Sequence, residues 1–327
     1  MEWLNDYELE LQAVFQECKA AIAGFPEPLG SRGLAYLEQF DVFRARSKKN
    51  YICYLLPFWL RRECGLSPEE THIMSTGNVL LMLYFFLQDD LMDNRRSSAA
   101  ELLPLANLLY SEFLDRYRPL FPAESSFWSH FKRYLFEWSD SVSNEASGDY
   151  YYNDRSRIAG KAAPLKLSAA AALLLTGLAS SIPAAEEAVQ EVLITLQMLD
   201  DYEDWEEDLE EGSYNCLLAL ARRHLYPDHP QAGITAAEAR NFIYTAGGLK
   251  TYAAAAADNH ERLLAGTFRI SGLTAFHQML ADNLQRIAAA VEAEKEQLLG
   301  GGLQYWLSKH MKSQEFFENS ANNQKKS

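Results

Sequence analysis

Long apolar-rich segments alternate with short polar marks along this chain. The marks fall at residues 24–33, 65–68, 94–98, 119–126, 180–183, 226–233 and 300–302. Each interval between them is long enough for helices of several turns, and none of the marks is long enough to be a linker between domains. Ala, Leu, Glu and Gln dominate while Val and Ile are sparse, so helix is favoured over strand. Helix-start signals support this: Ser67-Pro68-Glu69-Glu70 and Thr235-Ala236-Ala237-Glu238 are capping boxes, the first with Pro at the opening position. Two stretches, 71–88 and 167–185, run without formal charge for about a membrane's thickness. The first contains Ser75, Thr76, Gly77 and Asn78 and runs into two aspartates; the second is Ala-rich and holds Ser168, Ser180, Ser181 and Pro183. Both read as buried helices rather than membrane spans. The expectation is an all-α protein of ten or so helices, one large bundle around a central cavity over residues 1–311. A disordered Ser-, Asn-, Gln- and Lys-rich tail is expected over 312–327.

Composition narrows the function classes. The 327 residues carry a formal charge of −15, which excludes a protein built mainly to bind nucleic acid or anionic lipid. Cys18, Cys53, Cys64 and Cys216 are scattered without a CxxC pair, so they read as small buried hydrophobes in a reducing compartment. The N-terminal residues show no basic-then-apolar secretory pattern, and a cytoplasmic location without stable membrane insertion is expected. An acidic chain can still hold an anion if a divalent metal lies between them.

One short pattern occurs twice. An apolar run ends in Gln88-Asp89-Asp90-Leu91-Met92-Asp93, and another passes through Gln197 into Asp200-Asp201-Tyr202-Glu203-Asp204. On a helix, residues i and i+4 share a face about 6 Å apart along the axis. Asp89 and Asp93 therefore point the same way, as do Asp200 and Asp204, and Asp208 extends the second stripe by a turn. Like charges on one face repel, and carboxylate oxygens are the hard ligands Mg²⁺ prefers. The pattern predicts two facing acid clusters at the mouth of an apolar pocket, holding metal ions against a diphosphate. Above the first cluster stand Tyr84, Phe85 and Phe86. Phe85 is one turn deeper than Asp89 on the same face, where an aromatic ring can stabilise a carbocation and exclude water. Trp205 and Tyr152 are further aromatic candidates. Arg155, Arg157, Lys161 and Lys166 cluster before the Ala-rich segment, with a break expected at Gly160 and Pro164, and suit a diphosphate leaving group. Arg95 and Arg96 follow the first cluster and are candidates to close over the phosphate.

These residues resemble the class I isoprenoid synthases, the group of trans-prenyl diphosphate synthases and class I terpene cyclases, over roughly residues 35–300. The run Gln197 to Asp204, followed by Asp208-Leu209-Glu210-Glu211-Gly212-Ser213-Tyr214-Asn215, is similar to that family's QxxDDxxD and later G-K-x-T elements. Gly160-Lys161-Ala162-Ala163-Pro164-Leu165 resembles its K-T-A-x-L element. The resemblance implies three Mg²⁺ ions, with Mn²⁺ able to substitute, and ionisation of an allylic diphosphate. It implies metal roles for Asp89, Asp90, Asp93, Asp200, Asp201, Asp204 and Asp208. Catalytic roles fall to Lys161, Arg155, Arg157 and Phe85, and substrate contacts to Arg95, Arg96, Lys48, Lys49, Gln197 and Tyr84. A prenyl diphosphate is the expected partner, and a second copy of the chain a candidate one.

The departures from the family pattern set the reaction type. The stretch 46–52 lacks the Arg-Pro pair through which an elongating synthase binds isopentenyl diphosphate. The arginines follow the first cluster at once, and Ser213 stands in the lysine position. A single-substrate terpene synthase is therefore expected. A trans-prenyl synthase, in which Lys48 and Lys49 suffice for the second phosphate, and a non-catalytic partner subunit are the alternatives. A di-iron bundle is disfavoured, since Glu69…His72 is a lone Glu-x-x-His spacing.

Overall fold

The computed structural model describes residues 6–93, 102–145, 148–229 and 231–323, with side chains described as far as residue 302 and excepting that of Asp93. No strand occurs among the described residues. The helices are α1 (Glu8–Ala23), α2 (Leu29–Glu38), α3 (Tyr51–Cys64), α4 (Pro68–Asp93), α5 (Leu103–Tyr117), α6 (Phe127–Ser143), α7 (Tyr150–Asn153), α8 (Leu167–Leu175), α9 (Ile182–Glu203), α10 (Trp205–Glu211), α11 (Cys216–Leu225), α12 (Ala236–Tyr244), α13 (Gly248–Ala265) and α14 (Ser271–Asn323). Short 3₁₀ segments lie at Arg155–Arg157, Gly160–Lys166 and Ala179–Ser181. Both capping boxes form. Ser67 and Glu70 exchange amide bonds of 2.8 and 3.1 Å, and Thr235 and Glu238 do the same ahead of α12.

The chain divides into two compact units. One comprises Met1–Gln197 with Asn259–Gln278, the other Met198–Asp258 with Met279–Ser327. In the first unit, α3 is the innermost helix, its residues from Ile52 to Leu60 all buried. It packs on α4 and α8, while α4 also packs on α1 and α5. The charge-free stretch 71–88 lies within α4, and its polar residues are satisfied inside the protein. Ser75 donates to the Tyr54 carbonyl (2.8 Å), and Asn78 donates to Ser168 (2.7 Å) while accepting from the Tyr117 hydroxyl (2.8 Å). Such internal pairing offsets the cost of burying them. Among the described residues, no helix is long and apolar enough to cross a membrane.

The second charge-free stretch, 167–185, is not one helix. α8 stops at Leu175 and Gly177 takes φ 73°, a left-handed value that costs glycine no Cβ clash. The Leu178 amide then turns back to the Leu173 carbonyl (2.7 Å) before α9 begins. The break expected at Gly160 is a 3₁₀ segment pressed onto α6: a Cβ on Gly160 would stand 1.8 Å from the Ser141 hydroxyl.

The second unit gathers α10, α11 and α12 around Trp205, Leu217, Leu218, Phe242 and Ile243, all buried. α14 runs through a non-helical Gly302 (φ 51°) to Asn323, and so takes in the stretch from Lys312 that composition marks as a tail.

Candidate active site

The first unit holds the first acidic cluster and an apolar cavity, both built on α4. Leu81, Met82, Phe85 and Phe86 line the cavity, opposite Asn50 and Cys53 at the start of α3 and Lys161, Ala162, Pro164 and Leu165 of the 3₁₀ segment. Its volume is about 90 Å³. Pockets for drug-sized ligands run to about 300–1,000 Å³, so this cavity is small by comparison. Phe85 belongs to an aromatic layer. Its ring lies 4.9 Å from Trp138 and 5.1 Å from Tyr84, and the Tyr84 ring in turn lies tilted 5.0 Å from Tyr110. Tyr84, read from sequence as a substrate contact, belongs to the aromatic layer behind Phe85 and is not among the residues lining the cavity.

One turn beyond Phe85, Asp89 and Asp90 are exposed. Asp90 is held from α2, where the Tyr36 hydroxyl donates to its Oδ2 at 2.8 Å. Burial and then the Asp90 carboxylate push the Tyr36 phenol well above its ordinary pKa, so it remains a donor. Phe40, one turn after Tyr36, bridges the Tyr36 ring (5.4 Å) and the Phe86 ring (5.0 Å). α2, through Tyr36, thus touches the acidic end of α4, and Phe40 in the turn after it touches a wall of the cavity. Asp93 closes α4 one turn after Asp89. Arg95 and Arg96 lie outside the described residues.

The predicted cations do not share one place within this unit. Lys161 lines the apolar cavity and pairs with Glu145 at 2.5 Å. Arg155 donates to the Asn259 amide oxygen. Arg157 pairs with Asp140, lies 4.8 Å over the Tyr150 ring, and lines a different, polar cleft of about 560 Å³ with Arg133, Glu137 and Lys166. Lys166 is buried there against Glu137 (2.8 Å) and Gln190 (3.1 Å). Lys48 and Lys49 are exposed just before Asn50. Tyr152 is exposed, its ring 5.2 Å from Tyr151.

In the second unit the acidic run is braced. The Asp204 amide bonds the Asp200 carbonyl and the Asp208 amide the Asp204 carbonyl, both at 2.9 Å. These bonds link the end of α9 to the start of α10 across Asp204, whose backbone (φ −108°, ψ 10°) departs from helix and interrupts the run. Asp200 and Asp204 are exposed and Asp208 half-buried. Asp201 differs: it is 2 % exposed, and its carboxylate accepts the Cys216 amide at 2.6 Å. It serves the start of α11, a structural duty that the DDxxD spacing does not reveal. Buried Asn215 donates to the Asp208 carboxylate and to the Asp201 carbonyl, each at 2.7 Å, and caps α11 by accepting from Leu217 (2.9 Å) and Leu218 (3.0 Å). Trp205 is buried under Arg240, 5.7 Å away, as a core residue of this unit. Gln197 is half-buried on α9, three residues before Asp200.

Three contributors escape a sequence reading. Tyr36 stands 54 residues from Asp90, and Glu145 pairs with Lys161 from another element. Neither bears a motif. Asn215 does carry a signal, an N-cap residue ahead of an apolar run. Among the described residues, no three His, Cys, Asp or Glu side chains already converge as a metal site. The donor chemistry nonetheless suits a hard cation: each cluster supplies only carboxylate oxygens.

No protein-family model and no curated protein matches the sequence. The architecture is that of the all-α isoprenoid synthase fold. A solved geranylgeranyl pyrophosphate synthase from Lactobacillus brevis superposes with a TM-score of 0.62 over 86% of this chain and 97% of its own, at 16% identity. At that identity the likeness establishes the fold.

Proposed function

We propose that the protein is a class I terpene synthase that ionises an allylic prenyl diphosphate and converts the resulting carbocation to a terpene, releasing diphosphate. The observation that carries this reading is the junction on α4. There an apolar cavity walled by Phe85 and Phe86 sits one turn below exposed Asp89, with Lys161 on the cavity's opposite wall. One helix thus offers an apolar tail its pocket and a metal-bound head its carboxylates. Asp89 and Asp93 on α4 would hold Mg²⁺ in the first unit, and Asp200 on α9, Asp204 between the helices and Asp208 on α10 would do so in the second. When bound, Mg²⁺ supplies positive charge that makes diphosphate a better leaving group. Lys161 adds a cation at the cavity wall, and Phe85 presents its ring face to the developing cation while excluding water.

A second reading is chain elongation with isopentenyl diphosphate. It is favoured by the geranylgeranyl pyrophosphate synthase likeness and by the exposed Lys48 and Lys49 beside cavity-lining Asn50. One experiment separates the two. The protein is incubated with C10, C15 and C20 allylic diphosphates and Mg²⁺, each with and without isopentenyl diphosphate, and hydrocarbon and diphosphate products are analysed. Terpene and inorganic diphosphate from the allylic substrate alone support the first reading. A longer prenyl diphosphate formed only with isopentenyl diphosphate replaces it with the second. No diphosphate release under any condition overturns both.

A further inference from the structure

We infer that Asn215 is the positioning residue of the second acidic cluster, setting the orientation of the Asp208 carboxylate for cation binding; this rests on the metal-dependent reading just proposed. Asn215 is fully buried, and all four bonds of its amide group are accounted for. Its oxygen accepts two backbone N–H groups of α11, and its nitrogen donates to the Asp201 carbonyl and the Asp208 carboxylate. The last bond is the informative one. Capping α11 needs only an oxygen, and Ser, Thr or Asp supplies that equally well. Only a side-chain amide supplies the oxygen and two N–H donors at the same place. Asp at this position would set a second carboxylate 2.7 Å from Asp208.

The bond also joins two elements of the chain. Asp208 belongs to the short helix α10, and Asn215 to the start of α11. The neighbouring Cys216 amide is anchored on Asp201 at 2.6 Å. The Asp208 side chain is thereby referred to α11 as well as to its own helix. Hydrogen bonds from such outer residues fix ligand orientation, and their loss typically weakens metal binding about 10- to 100-fold.

The test uses the full chain with Mn²⁺ and inorganic pyrophosphate, protein-bound Mn²⁺ being measured by electron paramagnetic resonance after equilibrium dialysis. Asn215→Ser keeps a capping oxygen and removes the donor to Asp208, and Asn215→Thr is a second variant of the same kind. Either is expected to weaken Mn²⁺ binding at least tenfold. Asp208→Asn is expected to do the same, and Asn215→Ser added to Asp208→Asn to cause no further loss. A residue that only caps α11 would lower the melting temperature of the metal-free protein and leave Mn²⁺ binding unchanged; that result overturns the inference. So does unchanged binding in Asp208→Asn. If the unaltered protein retains no Mn²⁺, the metal-dependent function itself fails, and the inference with it.

Discussion

The two acidic clusters share a DDxxD string and are held in different ways. The first ends α4 and leaves Asp89 and Asp90 exposed, with Asp90 tied to Tyr36, a residue 54 positions earlier on α2. The second spans the interruption between α9 and α10 and is clasped by residues that follow within one short stretch, Asn215 and the Cys216 amide. One is restrained by a tertiary contact, the other by its own downstream chain. Identical spacing therefore does not assign identical work. The second aspartate of the first cluster is exposed and meets a phenol, whereas that of the second is buried and serves as an anchor for α11.

The largest test removes one carboxylate from each cluster. Asp89→Ala and Asp200→Ala should each lower turnover at least 1,000-fold, on the order of 4 kcal/mol of transition-state stabilisation. Far-UV circular dichroism should be preserved in both, and excess chelator should have the same effect on the unaltered protein. Full activity in either variant would remove that cluster from the proposed metal-holding role. Asp201→Ala should differ in kind. It removes a buried acceptor from the Cys216 amide, and a melting-temperature loss corresponding to about 1–3 kcal/mol is expected. An unchanged melting temperature would remove the contrast between Asp201 and its exposed counterpart Asp90.

Acid sharpens the comparison between the units. In the first, His277 is fully buried, its Nδ1 2.8 Å from the His260 Nδ1 and its Nε2 2.8 Å from Thr195. Burial, and then His260, lower its pKa from 6.5 to about 4. The unfolded chain therefore binds this proton more readily than the folded one between those values. The stabilising contribution is complete above about pH 6.5 and is lost as pH falls toward 4. Between pH 7 and 5 the loss is about 2 kcal/mol. Hydrogen exchange, corrected for intrinsic rates, should quicken in the first unit over this range and do so less in His277→Phe. Equal quickening in both proteins would refute the assignment to His277.

Phe85→Ala should enlarge the cavity and redirect product distribution or admit a longer substrate, while slowing ionisation less than tenfold, a difference under about 1.4 kcal/mol. Loss of all turnover with unchanged products would instead place Phe85 in ionisation. The smallest effect belongs to Tyr36→Phe. Its one lost bond is partly replaced by water, so stability should fall by about 1 kcal/mol or less. The Mg²⁺ concentration for half-maximal activity should rise several-fold. No change in Mg²⁺ dependence would make the α2 contact to Asp90 irrelevant to the cluster.

The sequence by itself determined the helical class, both capping boxes, the break near Gly160, and the four-residue spacing at which backbone bonds join Asp200, Asp204 and Asp208. These follow from local physics: backbone propensity, caps that act within three or four residues, and the repeat of the helix. It also placed Phe85 a turn below Asp89 beside an apolar pocket, because both lie on one helix. Tertiary structure alone decided which charges pair. Arg157 joins Asp140 in a polar cleft while Lys161 reaches the apolar cavity, although they lie only four positions apart in the chain. It also buried Asp201 against the Cys216 amide and brought Tyr36 to Asp90. A charged side chain's partner depends on which elements pack beside it, and neither spacing nor composition encodes that packing.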